Sequence, residues 1–324
     1  MLKKRKRSLP LLIVNVVVTV LCCGLFSASL FAANYVSIDI PGATDVHPVA
    51  VNRKAQVAGF FYRNGFMESF LRQSDGTVEI LHSPEGSNSF MFDMNEAGEI
   101  VGGYPPGNPV HAFLRSPDGK ISKIDPPGTT FATAVSINAD GAAVGTSSVG
   151  FYIRARNGRY TTFSAGWPCG INDSGIVAGN TRDDLGYLRA PDGAVTLFDP
   201  ALPGFVLAPN CIDNRGDVVG WYQGADGNTR SFIRRIDGSV MLIDVPGMPS
   251  TMVESINAHG IAIGTYWDRT VRNSFLYKPD GSFRLLTTPF GDESMAFGLA
   301  GRHYLVGSYY LPADQTRHGY LRIR

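Results

Sequence analysis

Residues 111–128 read HAFLRSPDGKISKIDPPG, and worn copies of that stretch return along the whole chain after residue 34. The copies align best on an upstream Asn followed by Gly three and seven positions later. They are Asn52 (with Ala55 in place of the first Gly, then Gly59), Asn95 with Gly98 and Gly102, Asn138 with Gly141 and Gly145, and Asn172 with Gly175 and Gly179. Asp213 with Gly216 and Gly220, Asn257 with Gly260 and Gly264, and a degraded copy at Ala300 with Gly307 complete the set. The anchors stand 43, 43, 34, 41, 44 and 43 residues apart, which makes seven repeats.

Each repeat next carries an aromatic strand, centred on Phe70, Phe113, Phe151-Tyr152, Tyr187, Phe232, Phe275 and Tyr320. In six of them a two-residue turn follows, such as Asp118-Gly119 or Asn157-Gly158, pairs that accept positive φ and match the twist of a hairpin. The repeat closes with a strand running into a Pro-Gly turn, as in Asp125-Pro126-Pro127-Gly128. Past residue 34 the longest stretch free of Gly and Pro is Thr265 to Lys278, and it has no apolar recurrence at helical spacing. Four short strands per repeat predict an all-β chain, a seven-bladed β-propeller of four-stranded blades. The closing strand also stands alone at the start, as Ile38-Asp39-Ile40-Pro41-Gly42, while the last repeat stops at Ile323-Arg324 without one. The N-terminal strand is therefore expected to complete the last blade and close the ring, hiding edges that would otherwise pair with other chains.

Residues 1–33 are set apart from this domain: Lys3 to Arg7 are basic and Leu9 to Phe31 is almost wholly apolar. They read as a signal peptide or, if uncleaved, a membrane anchor. Cys22 and Cys23 lack the small preceding residue of a lipid-anchor site. Residues 34–324 are then one extracytoplasmic domain, periplasmic, secreted or at the cell surface, in an oxidising setting. Removing the leader takes five of the 29 basic residues and none of the 28 acidic ones, leaving a formal charge of −4. A weakly acidic surface argues against nucleic acid as a partner. Membrane contact is expected only through residues 1–33, and the domain reads as a monomer.

The triplet His111-Ala112-Phe113 followed by Leu114, with Ile-Asn-x-x-Gly-x-x-x-Gly in three repeats and a looser form of it in most of the others, resembles the HAF-type repeat family of bacterial exported proteins. The resemblance covers nearly all of residues 34–324. It implies export and a β-propeller, and no agreed activity. The His of the triplet occurs only at His111, with His318 read as one position displaced. Other propeller signatures are thin: a single Trp267-Asp268, one double glycine at Gly102-Gly103, and no sialidase-type box.

The recurring Asn and Gly read as structural, so function is sought where repeats differ. Two positions before the anchors stand Ala50, Asp93, Ser136, Gly170, Cys211, Ser255 and Gly298, six of them small. Asp93 is the exception, a carboxylate expected to face the channel. Nine positions after the anchors stand Phe61, Tyr104, Ser147, Thr181, Tyr222, Tyr266 and Tyr309. Packing between blades explains most of such a ring. The densest group, Trp221, Tyr222, Tyr266, Trp267 and Tyr309, is the candidate binding rim, because flat amphipathic rings suit sugar stacking. Cys169 and Cys211 lie in adjacent repeats, three and two positions before their anchors. Simple alternation would turn them to opposite sides, against a disulfide.

The six histidines show no metal-ligand spacing, no nucleophile elbow is present, and neither metal nor cofactor is expected. Asp39 and Asp244 before Pro-Gly turns read as turn stabilisers. Three functions stay open. One is a binding module for a carbohydrate or an envelope protein. Another is a polysaccharide lyase or glycosidase drawing on Asp93, Glu254, Asp268, Arg269 and Tyr266 as acid, base or charge stabiliser. The third is a scaffold without a small ligand. An enzyme is the less favoured reading, and fold cannot choose among the three.

Overall fold

Local chemistry sets the strand boundaries, and the third repeat shows how. Strand Ala132–Ile137 runs into Asn138, returns as Ala143–Ser147, and is followed by Gly150–Arg154 and Tyr160–Phe163. The Asn138 side-chain oxygen accepts from the Ala142 N–H at 2.9 Å. Gly141, at φ 76°, donates its N–H to the Asn138 carbonyl. Gly adopts that left-handed conformation at no steric cost; Ala55 holds the same place in the first repeat at φ 58°. The second Gly answers a different need. A Cβ on Gly145 would run into the Thr133 carbonyl oxygen and the Tyr152 hydroxyl, so the missing side chain makes room for the third strand's ring. Those rings, among them Phe70, Phe113, Tyr152 and Phe275, are fully buried, each contributing about 1.5–3 kcal/mol of hydrophobic stabilisation.

The computed structural model describes residues 34–85, 88–105, 109–199, 204–291 and 293–324, with the backbone alone described over 204–211. The expected leader, residues 1–33, lies outside them. The described residues hold strands and no helix. Repeats two to six each form a four-stranded antiparallel sheet, and the strands of repeats one and seven share an eight-stranded one. In that sheet Asn34–Ile38 pairs antiparallel with Thr316–Ile323, from Asn34 opposite Ile323 to Ile38 opposite Gly319. A single parallel pair, Asp45 with Arg317, joins Thr316–Ile323 to the first repeat's inner strand, Asp45–Val51. Apolar clusters fill the space between successive sheets; one of them combines Ile233 and Ile243 of the fifth repeat with Val253 and Phe275 of the sixth.

Two expectations about register need correction. His318 is not displaced: Gly319 lies opposite Ile38, and His318 Nδ1 bonds Asp39 Oδ1 at 2.5 Å, just as His111 Nδ1 bonds Asp125 Oδ2 at 2.6 Å. In both cases the ring ties the third strand to the Asp that opens the Pro-Gly turn. The second correction concerns alternation along the inner strands. Every inner strand carries a β-bulge three residues before its anchor, as between Ala134 and Ser136 or Val253 and Ser255. A bulge inserts one residue and breaks the two-residue period. Cys169 sits at such a bulge, so the alternation argument against its pairing with Cys211 fails; the Cys211 side chain lies outside the described residues.

Candidate ligand-binding site

The bulges build a cavity of about 500 Å³ lined by residues from all seven inner strands. Its walls carry the bulged residues Val49, Phe92, Val135, Cys169, Glu254 and Phe297, and its mouth is ringed by the Asn turns. Side-chain hydrogen bonds hold the mouth together both within and between turns. Each of the six Asn or Asp anchors caps its own turn through Oδ1, as Asn95 does for the N–H groups of Ala97 and Glu99, while Ala300 has no such group. In four of them Nδ2 also reaches the next repeat: Asn95 donates to the Asn138 carbonyl at 2.9 Å, Asn138 to Asn172 at 3.0 Å, Asn172 to Asp213 at 3.1 Å and Asn257 to Gly301 at 2.5 Å, whereas Asn52 donates to Gln56 Oε1 of its own turn at 2.7 Å. Asp213 has no amide with which to continue the chain of bonds. Its second oxygen instead holds Arg215, with Nε at 3.0 Å and Nη2 at 2.9 Å.

Two of the carboxylates singled out from the sequence share this cavity. Asp93 is fully engaged there: Oδ2 accepts from Ser136 Oγ at 2.8 Å and Ile137 N–H at 2.9 Å, and Oδ1 from Met94 N–H at 2.8 Å. It therefore clasps the second inner strand to the third. Burial raises its pKa, and those three hydrogen bonds work in the other direction. Glu254 differs. Among the described residues it has neither a hydrogen bond nor an ion pair; burial pushes its carboxyl up to about 7, with the charge of Arg272 opposing the shift.

The other candidates are elsewhere. Tyr222, Tyr266 and Tyr309 are 4%, 7% and 4% exposed, packed in the cores between sheets, so they offer no face to a sugar. Trp221 is half-buried, and Trp267 alone of the proposed rim stands well out, 46% exposed. Asp268 and Arg269 occupy the hairpin after strand Ala262–Trp267, at the opposite end of the sheet from the Asn turns. There Asp268 accepts from Thr270 Oγ1 at 2.6 Å and from the N–H groups of Thr270 and Val271, bonds that hold its carboxyl below the usual range. The lyase and glycosidase set thus splits into Asp93 and Glu254 in the cavity, Tyr266 in the core, and Asp268 with Arg269 in a distant turn.

Sequence reading overlooked Phe92 and Phe297 on the cavity wall, and Trp167, which is 43% exposed. It also passed over an Arg two residues after the buried ring in six repeats. Arg115 and Arg234 show its use: each donates Nη1 to the carbonyl of the next residue, and the guanidinium reaches the preceding repeat, Glu79 at 2.6 Å or the Phe198 ring at 4.8 Å. Tabulating every position of the repeat, rather than the anchors alone, would have found it.

No protein-family model matches the chain, and no curated protein matches it by sequence. Solved structures do. A streptogramin B lyase shares 12% identity over 90% of this chain and 98% of its own, with a TM-score of 0.61. Virginiamycin B lyase from Staphylococcus aureus shares 10% over 90% and 99%, with a TM-score of 0.62. The β-propeller domain of the Trilobed protease from Pyrococcus furiosus, described as having an open velcro topology, shares 11% over 88% and 94%, also at 0.62. At such identities the likeness establishes the scaffold alone, an all-β propeller of four-stranded sheets.

Proposed function

We propose that this chain is an exported, HAF-type repeat propeller acting as a binding module in the envelope or at the cell surface, with the central cavity as its site. Seven blades and a ring closed by the N-terminal strand belong to this reading. The eight-stranded sheet divides naturally at its single parallel pair into two four-stranded blades, and the five residue pairs of Asn34–Ile38 cover the edge of the last one. The Pyrococcus furiosus domain, with its open velcro, would contrast with that arrangement. Export rests on residues 1–33, and family membership on the repeat pattern around His111-Ala112-Phe113.

The observation that carries the binding reading is the cavity itself. Its volume of about 500 Å³ falls in the range of small-molecule sites, and its wall mixes apolar side chains with a few polar groups. The ligand is a small molecule or the end of a carbohydrate or peptide chain narrow enough to enter. A second reading, hydrolysis or elimination on a sugar, retains only Asp93 and Glu254 of its original set, and Asp93 is committed to the fold.

The test is a panel of oligosaccharides and short peptides offered to the full chain, scored for retention and for product mass. Val135→Trp, which fills the cavity, should abolish retention, while Trp267→Ala should leave it intact. New products would favour the enzyme reading. Retention lost only in Trp267→Ala would move the site to the hairpin end, and silence throughout would leave a scaffold.

A further inference from the structure

In the six repeats whose bulged side chain is described, the bulge in the inner strand puts that side chain on the cavity wall. Among the described residues at that position, five are uncharged, Val49, Phe92, Val135, Cys169 and Phe297, and Glu254 alone carries a charge. The inner strand Ser250–Ile256, which bears Glu254, neighbours Glu293–Ala300, which bears Phe297. A carboxylate and an aromatic ring therefore line the cavity from neighbouring inner strands.

We propose that the cavity receives a small organic ammonium ion, with the Glu254 carboxylate as its counter-ion and the Phe297 ring as an adjoining wall. The inference rests on the central cavity being the binding site. Its support is a comparison of the two cavity carboxylates: Asp93 spends its oxygens on Ser136, Ile137 and Met94, whereas Glu254 has no hydrogen-bond or ion-pair partner among the described residues. Among the residues lining the cavity, basic groups stand only at the mouth, where Arg53 is paired with Glu96 at 3.0 Å and His259 lies on an exposed turn. Outside that lining, Arg272 acts on Glu254 through its charge without forming an ion pair, and burial lowers the pKa of His47, whose ring lies 6.3 Å from that of Phe297. A divalent metal ion fits poorly, since calcium requires six to eight oxygen ligands and one carboxylate is available. An anion would meet repulsion, and a neutral polyol would leave the carboxylate's charge uncompensated. An alkylammonium ion supplies both that charge and an apolar body, and aromatic faces attract cations when water is excluded.

The experiment compares n-butylammonium chloride with its neutral isostere n-butanol, titrated into the full chain at pH 8 and followed by calorimetry and ligand-observed NMR. The expected result is a preference for the ammonium ion of at least tenfold. In Glu254→Gln that preference should vanish while any affinity for butanol persists, and Phe297→Leu should weaken ammonium binding several-fold. Equal affinity for the two probes, or a preference that survives Glu254→Gln, would overturn the proposal. The wild-type comparison needs no variant, so a poorly folded substitution does not obscure it. Should neither probe bind while oligosaccharides or peptides are retained and Val135→Trp blocks them, the ammonium proposal fails and the cavity reading stands. If nothing enters, both fail.

Discussion

The two ends of the sheets solve opposite problems. At the Asn-turn end the repeats share one hydrogen-bonded frame and differ in the single side chain each bulge turns inward, Val, Phe, Val, Cys, Glu or Phe among those described. At the hairpin end the repeats carry their most conspicuous residues, the Phe and Tyr nine positions after the anchors with Trp221 and Trp267 beside them, and the Phe and Tyr are consumed by packing between sheets. Density of aromatic residues therefore marks where the sheets meet. The odd residue within an otherwise uniform frame is the better pointer to a site.

The strongest way to break this contrast is at neighbouring residues of one strand. Tyr266→Ala removes a ring 7% exposed and should cost about 3–4 kcal/mol, within the range for large core aromatics, whereas Trp267→Ala, at a side chain 46% exposed, should stay within about 0.5 kcal/mol. Chemical denaturation of the two variants checks it. Similar losses would mean that the hairpin end is not divided into core and surface as described.

Glu254→Gln sharpens the comparison at the other end. Because burial raises the folded-state pKa to about 7, the carboxyl is favoured in its neutral form, and its ionisation opposes folding. That penalty is absent below the unfolded value near 4.5, grows as pH rises, and is complete above about 7. Glu254→Gln should therefore match the wild type at pH 4 and exceed it at pH 8, by at most about 3 kcal/mol and less where channel water screens the charge. Stability curves at the two pH values decide it, and a variant less stable at pH 8 would contradict the unpaired carboxylate. A smaller effect is expected at the frame. Asn138→Asp keeps the turn-capping oxygen but replaces the donor to the Asn172 carbonyl, and should cost about 1–2 kcal/mol. The natural Asp213 escapes that cost through Arg215, so Arg215→Ala should make the fifth repeat behave like the Asn138→Asp variant.

What could be read from the sequence was whatever depends on a residue's own backbone. Anchors, Gly positions and Asp-Gly turns answer local φ and capping demands, and the spacing of Phe70, Phe113 and Phe275 follows from the room left by the second Gly. A β-bulge leaves no such trace, because it is a relation between two strands. Without it the inward set was read two positions before the anchors, which found Asp93, while the equally inward set one residue earlier went unseen. From sequence Glu254 is only one of five acid, base or charge-stabilising candidates, and the reason for its place in the cavity is the bulge. The rim itself misled because side-chain type was taken for exposure: Tyr222, Tyr266 and Tyr309 combine a polar tip with a ring, and either end can decide where such a residue lies.

The smallest expected effect separates the two histidine clasps, which look alike but hold different things. His111 and Asp125 belong to one repeat, whereas His318 reaches Asp39 on the N-terminal strand and, through Nε2, Asp314 at 2.9 Å. Burial alone would lower the pKa of His318; its two carboxylate partners outweigh that and raise it. A raised value means that the clasp contributes fully below the ordinary pKa near 6.5 and is lost as pH climbs through the folded-state value. Asp39 is more than half exposed, so solvent limits the gain to under about 1 kcal/mol. His318→Asn should therefore lower the melting temperature more at pH 5.5 than at pH 9, and should hasten proteolysis near residues 34–44. His111→Asn should leave that segment protected, because its partner lies in the same repeat. If both variants released the N-terminal strand equally, the backbone pairing of Asn34–Ile38 with Thr316–Ile323 would have to be weaker than its five residue pairs imply.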